Sequence, residues 1–164
     1  ANYTLFDLAA FFGPGLYTIP TGQEKLVSQS FLPLIDSLIK FSNKYQSLPR
    51  TATLVVLGFA DGQDFDRCSE LYDTLSEIIE GPVATKQLLN QKLSELRALE
   101  LIKQLTTLFT QKASDIINID KLNVEYVGQG KGEEYPIPTI KDYQLVDERR
   151  RIVLCYWAVL PDKQ

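Results

Sequence analysis

Two stretches of this chain, Thr53 to Ala60 and Arg151 to Leu160, are apolar at both odd and even positions. A strand with one wet face alternates, so runs of this kind are expected to be strands covered on both sides. The rest of the sequence supplies helices to cover them. Apolar residues recur at Val27, Phe31, Leu34, Leu38, Phe41 and Tyr45, the three- and four-residue spacing of one helix face. A longer helix is expected from about Thr85 to Gln111, carrying Leu89, Leu93 and Leu96. Between them Cys68, Leu71, Leu75 and Ile78 mark a short amphipathic helix that stops at Gly81-Pro82, a C-cap followed by a breaker.

The remaining segments are read from local chemistry. Thr4 to Phe12 is expected to be a strand running into a tight Gly13-Pro14-Gly15 loop. Thr21 followed by Glu24 has the spacing of a capping box, and Pro33 is expected to kink or split the helix that follows. Leu122, Val124 and Tyr126 alternate with Asn123 and Glu125, the pattern of a half-exposed strand, and Gly128 to Lys141 reads as a loop. The predicted order is β-α-β-α-α-β-β. It describes a single α/β domain over residues 1–164, an α+β two-layer sandwich without repeat or linker.

Composition narrows the chemistry. The 164 residues include no histidine, which removes Ser-His-Asp and Cys-His nucleophiles, HExxH zinc sites and imidazole pH switches. Seventeen basic against 21 acidic side chains give a net charge of −4, so no nucleic-acid partner is expected. Cys68 and Cys155 fit no metal motif. They are read as two small buried hydrophobes, or as a pair if the compartment is oxidising. The chain starts at Ala1 rather than Met, as expected of the mature part of a longer precursor. No stretch has the ~20 continuous apolar residues that a membrane helix needs.

Three places carry candidate chemistry. Asp61 follows the buried run directly; it either starts an Asp-Gly turn, the commoner role, or faces a ligand at a strand's carboxyl end. On a helix, Asn90, Leu93, Ser94 and Arg97 share one side, and an Arg beside Ala98 on an apolar helix needs an acid partner if buried. Arg149-Arg150-Arg151 reads as an anion patch or, more commonly, as a solvated ion-pair cluster.

Together these pieces resemble the OmpA-like domain family of peptidoglycan-associated proteins. The helix motif N-x-x-L-S-x-x-R-A is present as Asn90, Leu93, Ser94, Arg97 and Ala98. Gly58-Phe59-Ala60-Asp61 resembles the family's G-x-[TA]-D, and Gly128-Gln129-Gly130 with Pro136 resembles its G-x-G-x-x-x-P loop at wider spacing. Arg150-Arg151-Ile152 resembles its R-R-V, and Phe12 through Ile19 with the helix that follows resembles its first β-α unit. The resemblance implies a β-α-β-α-β-β domain with a mixed sheet and an extra inserted helix after the second strand. It also implies a non-catalytic module that binds peptidoglycan in the periplasm, attached to the outer membrane of a Gram-negative bacterium through a region outside this sequence.

By motif match, Asp61 and Arg97 would hold the diaminopimelate of the stem peptide, Asp61 accepting from its ammonium and Arg97 clamping its carboxylate. Leu93 would wall the methylene stem beside Ala60, and Asn90 would fix the loop. No cofactor or metal is implied. The chain departs from the family pattern in three ways. Gly13-Pro14-Gly15 offers no acid where many members have Asp. The D-x-x-G that usually follows the second strand is here Asp61-Gly62-Gln63-Asp64. Residues 63–84 form an insertion between Asp61 and the helix motif, placed to frame, lid or block the site. A scaffold that has lost wall binding and uses the inserted helix for protein-protein interaction is the second reading. A hydrolase using Asp61 with Asp64 or Asp66 is a distant third.

Overall fold

The computed structural model describes residues 3–7, 17–79, 81 and 84–163. Four strands form one mixed sheet: β1 (Tyr3–Asp7), β2 (Arg50–Gly58), β3 (Leu122–Gly130) and β4 (Ile152–Pro161). Their spatial order is β1-β4-β2-β3. β4 runs antiparallel to both its neighbours, and β2 and β3 are parallel, with Arg50 opposite Leu122 and Gly58 opposite Gly130. The helices are α1 (Glu24–Asn43), α2 (Glu70–Ile78) and α3 (Lys86–Gln111). The order along the chain is the predicted β-α-β-α-α-β-β.

The main core lies between the sheet and the pair α1 and α3. Val27, Phe31, Ile35 and Leu38 of α1 and Ala98, Leu101 and Leu105 of α3 meet Ala52, Leu54 and Val56 of β2 and Val153 and Cys155 of β4. Period-2 geometry sends the alternate strand residues to the opposite face, where Leu57, Ile152, Leu154 and Phe59 form a smaller cluster with Ile137. Among the described residues, helical cover is therefore one-sided. β2 alternates buried and half-buried positions, which corrects the expectation of a strand enclosed on both faces.

Other expectations shift at the ends of elements. β2 begins at Arg50, whose fully buried guanidinium donates from Nε to Ser42 Oγ (2.8 Å) and through its other nitrogens to the carbonyls of Leu48 and Ile117. Thr21 makes no cap: Gln23 is the N-cap residue of α1, and Glu24 reaches back to the Gly22 N–H (2.8 Å) in a turn where Gly22 has φ +91°. Pro33 lies within an unbroken α1, on its solvent side. β3 continues three residues, Gly128 to Gly130, into the segment expected to be loop. β1 ends at Asp7, and the Gly13-Pro14-Gly15 loop lies outside the described residues. The cysteines are free thiols in unlike places: Cys155 is buried, but Cys68 is exposed rather than a buried hydrophobe. Among the described residues no helix is long and apolar enough to cross a membrane.

Candidate ligand-binding cleft

Asp61 is positioned by the chain that leaves β2. Phe59 N–H donates to Ile152 O (3.0 Å), Ala60 N–H to Gly132 O (2.7 Å) and Gly62 N–H to Leu145 O (2.7 Å). Alternate anchors to the β4 entry and to the 131–150 segment hold this extended stretch, and Asp61 is 3% exposed.

Arg97 is positioned by the seating of α3 on the strand ends. At Gly58 a Cβ would collide with the backbone carbonyl of Ser94; at Gly130 it would lie 2.6 Å from Glu95 N and 2.7 Å from Gln91 O. Only glycine admits the helix this closely. Ser94 Oγ then accepts from the Gly132 N–H (2.9 Å) and donates to Gln91 O (2.8 Å), while the Gln91 side-chain amide donates to Gly130 O. With Thr85 capping its start through the Leu88 N–H, the helix buries Asn90, Leu93, Ser94, Arg97 and Ala98 together.

The result is a cleft of about 280 Å³ at the carboxyl end of β2. The structure brings all five sequence-predicted site residues, Ala60, Asp61, Asn90, Leu93 and Arg97, onto its wall. Asn90 Nδ2 donates to Gln63 O (3.2 Å), which ties the insertion to α3. Burial, with Arg151 nearby, pulls the Arg97 guanidinium down to about 10, partly offset by the charge of Asp61. Arg97 is thus a cation at neutral pH in a poorly solvated place.

Two further contributors line the cleft beside the five predicted ligand-binding residues. Arg151 enters the cleft, its Nε 3.5 Å from Asp61 Oδ2. The two arginines before it do not. Arg149 pairs at the surface with Asp142 (3.1 Å) and Asp147 (2.7 Å) and, in doing so, holds the Asp147 carboxyl well below the usual carboxylate range. Arg150 is buried under Tyr135 and donates to the carbonyls of Gln144, Leu145 and Glu133. The triple arginine is therefore one surface ion pair, one loop clamp and one cleft residue, not an anion patch. The insertion supplies the opposite wall, with Gln63, Asp64, Phe65, Asp66, Ser69 and Leu71. Ser69 caps α2 by accepting from the Tyr72 N–H (3.1 Å), and Phe65, Leu71 and Tyr72 pack on Leu75, Leu89 and Leu93. A wall of this kind frames the cleft. The signal was present in sequence as the Asp64-x-Asp66 spacing, but nothing local says which way the insertion folds.

No protein-family model matches the chain, and no curated protein matches it in sequence. Among solved structures it is similar to the OmpA-like domain of FopA1 from Francisella tularensis subsp. tularensis SCHU S4, with 19% identity and a TM-score of 0.45, covering 97% of this chain and 72% of that one. It is similar to the periplasmic domain of Helicobacter pylori MotB at 13% identity and a TM-score of 0.47, covering 95% and 81%. An outer membrane protein from Borrelia burgdorferi B31 is similar at 15% identity and a TM-score of 0.35, covering 93% and 83%.

Proposed function

We propose that this domain is a non-catalytic peptidoglycan-binding module of the periplasm. In this reading it anchors an outer-membrane protein or lipoprotein to the wall by holding the diaminopimelate of a stem peptide. The observation that carries the reading is the joint burial of Asp61 and Arg97 in one cleft, with Arg151 beside them. The cleft sets the Arg97 and Arg151 guanidiniums beside the Asp61 carboxylate, with Glu148 3.7 Å from Arg151 at the surface. A ligand carboxylate adds to these charge-assisted hydrogen bonds, each contributing about 1.5–3 kcal/mol. Leu93 and Ala60 give the apolar surface along which a methylene stem lies. A partly open site of this size binds one stem peptide modestly, and repetition along the polymer raises the effective affinity.

The test is co-sedimentation with purified sacculi. The wild-type chain pellets with the wall, whereas Arg97→Ala and Asp61→Ala stay in the supernatant while keeping the wild-type far-ultraviolet circular dichroism. Equal pelleting of all three removes the two-residue site. A wild-type chain that stays in solution favours the scaffold reading. One sequence feature supports that alternative: the insertion carries Asp64, Asp66, Glu70, Asp73, Glu77 and Glu80 against Arg67 alone, an acidic composition suited to a basic protein partner.

A further inference from the structure

β3 ends the sheet. Among the described residues no strand lies beyond it, and all nine of its residues pair with β2 without a bulge. The Lys131 N–H donates to Gly58 O (2.7 Å), so by alternation the odd-numbered residues of β3 turn their backbone groups toward β2. The even-numbered ones, Leu122, Val124, Tyr126 and Gly128, turn theirs to the open edge. At Gly130 the Gln91 side-chain amide already takes the carbonyl. Native edge strands are commonly guarded by proline, a bulge or several charges. β3 contains no proline and no bulge, and Glu125 is its one charged residue.

The helix above this edge is spaced for a neighbour of its own kind. Ser94 lies against both Gly58 of β2 and Gly130 of β3, and the next turn sets Ala98 on Gly58 and Leu99 and Ile102 on Gly128. The axis of α3 therefore runs over the gap between β2 and β3, about half a strand spacing of ~4.8 Å in from the edge. Joining two β3 edges at that spacing puts α3 and its copy roughly 10 Å apart, the distance at which helices pack. Leu99, 48% exposed, and half-buried Ile102 lie on the flank that would meet. We infer that the chain forms a twofold dimer in which β3 pairs antiparallel with β3 of a second copy, merging the two four-stranded sheets into one.

Backbone direction and charge select the register. Outward-turned residues have to meet outward-turned residues, which near the middle of the strand leaves pairings centred on Glu125, Tyr126 or Val127. The first sets two carboxylates directly opposite one another, and the second sets two tyrosine rings opposite one another beneath α3. Centred on Val127, Tyr126 meets Gly128 of the second copy, Glu125 meets Gln129 and Val127 meets itself, with no like charges opposed. An extended peptide would satisfy the same backbone groups but would leave Leu99 bare; a second copy covers both. The inference does not depend on the wall-binding reading.

Sedimentation equilibrium of the full chain tests it. The wild type is expected to approach twice its 18.6 kDa as concentration rises. Val127→Glu and Val127→Lys each set like charges across the twofold axis. Each is expected to weaken self-association about a hundredfold or more, with unchanged far-ultraviolet circular dichroism. Mixed together, the two variants are expected to recover the dimer as a heterodimer, a result that misfolding does not produce. Oxidation reads the register once the exposed thiol is removed by Cys68→Ser. Val127→Cys in that background is expected to crosslink to its copy, because a directly opposed pair without hydrogen bonds brings Cα atoms to about 4.5 Å, whereas Glu125→Cys is not. A wild type that stays monomeric at every soluble concentration overturns the inference. So does a dimer that Val127→Glu leaves intact, since its interface lies elsewhere. Crosslinking through Glu125→Cys without Val127→Cys overturns the register and the symmetry argued from it.

Discussion

Ser94 shows how much of the site depends on one hydroxyl. Fully buried, it takes the Gly132 N–H and returns a bond to Gln91 O, which joins α3 to the segment that also receives the Ala60 N–H. Replacing it with alanine leaves the Gly132 N–H buried without a partner, at a cost of about 1–3 kcal/mol. Ser94→Ala is expected to lower the urea midpoint with an unchanged slope; an unaltered midpoint shows that water substitutes for the hydroxyl. The motif that contains Ser94 and Arg97 was legible because helical periodicity is local: spacing alone puts these residues on one side. Arg151 was not. Which of three consecutive arginines reaches the cleft depends on the 3-10 turn Glu148–Arg150 and on the register that sets Ile152 opposite Asp7 in β1. Both are consequences of pairing with segments far away in sequence. The bond from the Asp147 N–H to Asp61 Oδ2 is hidden for the same reason, since its donor lies 86 residues downstream.

At the scale of elements, the ends written in short-range chemistry were readable and those set by tertiary packing were not. The helix expected from about Thr85 starts there, with the Thr85 hydroxyl as the N-cap of α3. The Thr21–Glu24 pair had the right spacing, yet the Gly22 turn brings the Glu24 carboxylate to the Gly22 N–H and leaves Thr21 out of the cap. Pro33 is the clearest case of burial overriding propensity. It removes the hydrogen bond that a residue at this place would give to Gln29 O, but Phe31, Leu34, Ile35 and Leu38 on the other side hold α1 in one piece. The proline and Gln29 face solvent, so water can take the freed carbonyl. Pro33→Ala restores that bond while loosening the unfolded chain, and the net expectation is a gain of about 1–2 kcal/mol. A higher thermal midpoint checks it; a lower one shows that the helix has a bend on which the core depends.

The buried apolar residues of the whole molecule divide into one main core and two smaller clusters. The main core joins α1, α3 and the sheet, and no described residue of the insertion belongs to it. The insertion has its own small cluster, in which Leu75 is fully buried against Leu89 and Leu93 with Phe65, Leu71 and Tyr72 around it. Periodicity in sequence showed both helices of this cluster but not that they share it, because a hydrophobic stripe does not name its partner. The same limit made β2 look enclosed on both faces: Val55 and Leu57 are apolar, but the 131–150 segment with Ile137 covers only part of that face. Parts that share few contacts open separately, the weaker one more often. Leu75→Ala empties the centre of the smaller cluster, a change that costs about 2–5 kcal/mol where it is felt. Native-state hydrogen exchange is expected to show faster exchange across 63–79 with β2 and β4 amides unchanged, together with weaker diaminopimelate binding at a nearly constant thermal midpoint. Equal loss of protection in the sheet makes the molecule a single cooperative unit. Binding that survives a loosened insertion separates the cleft's function from its inserted wall.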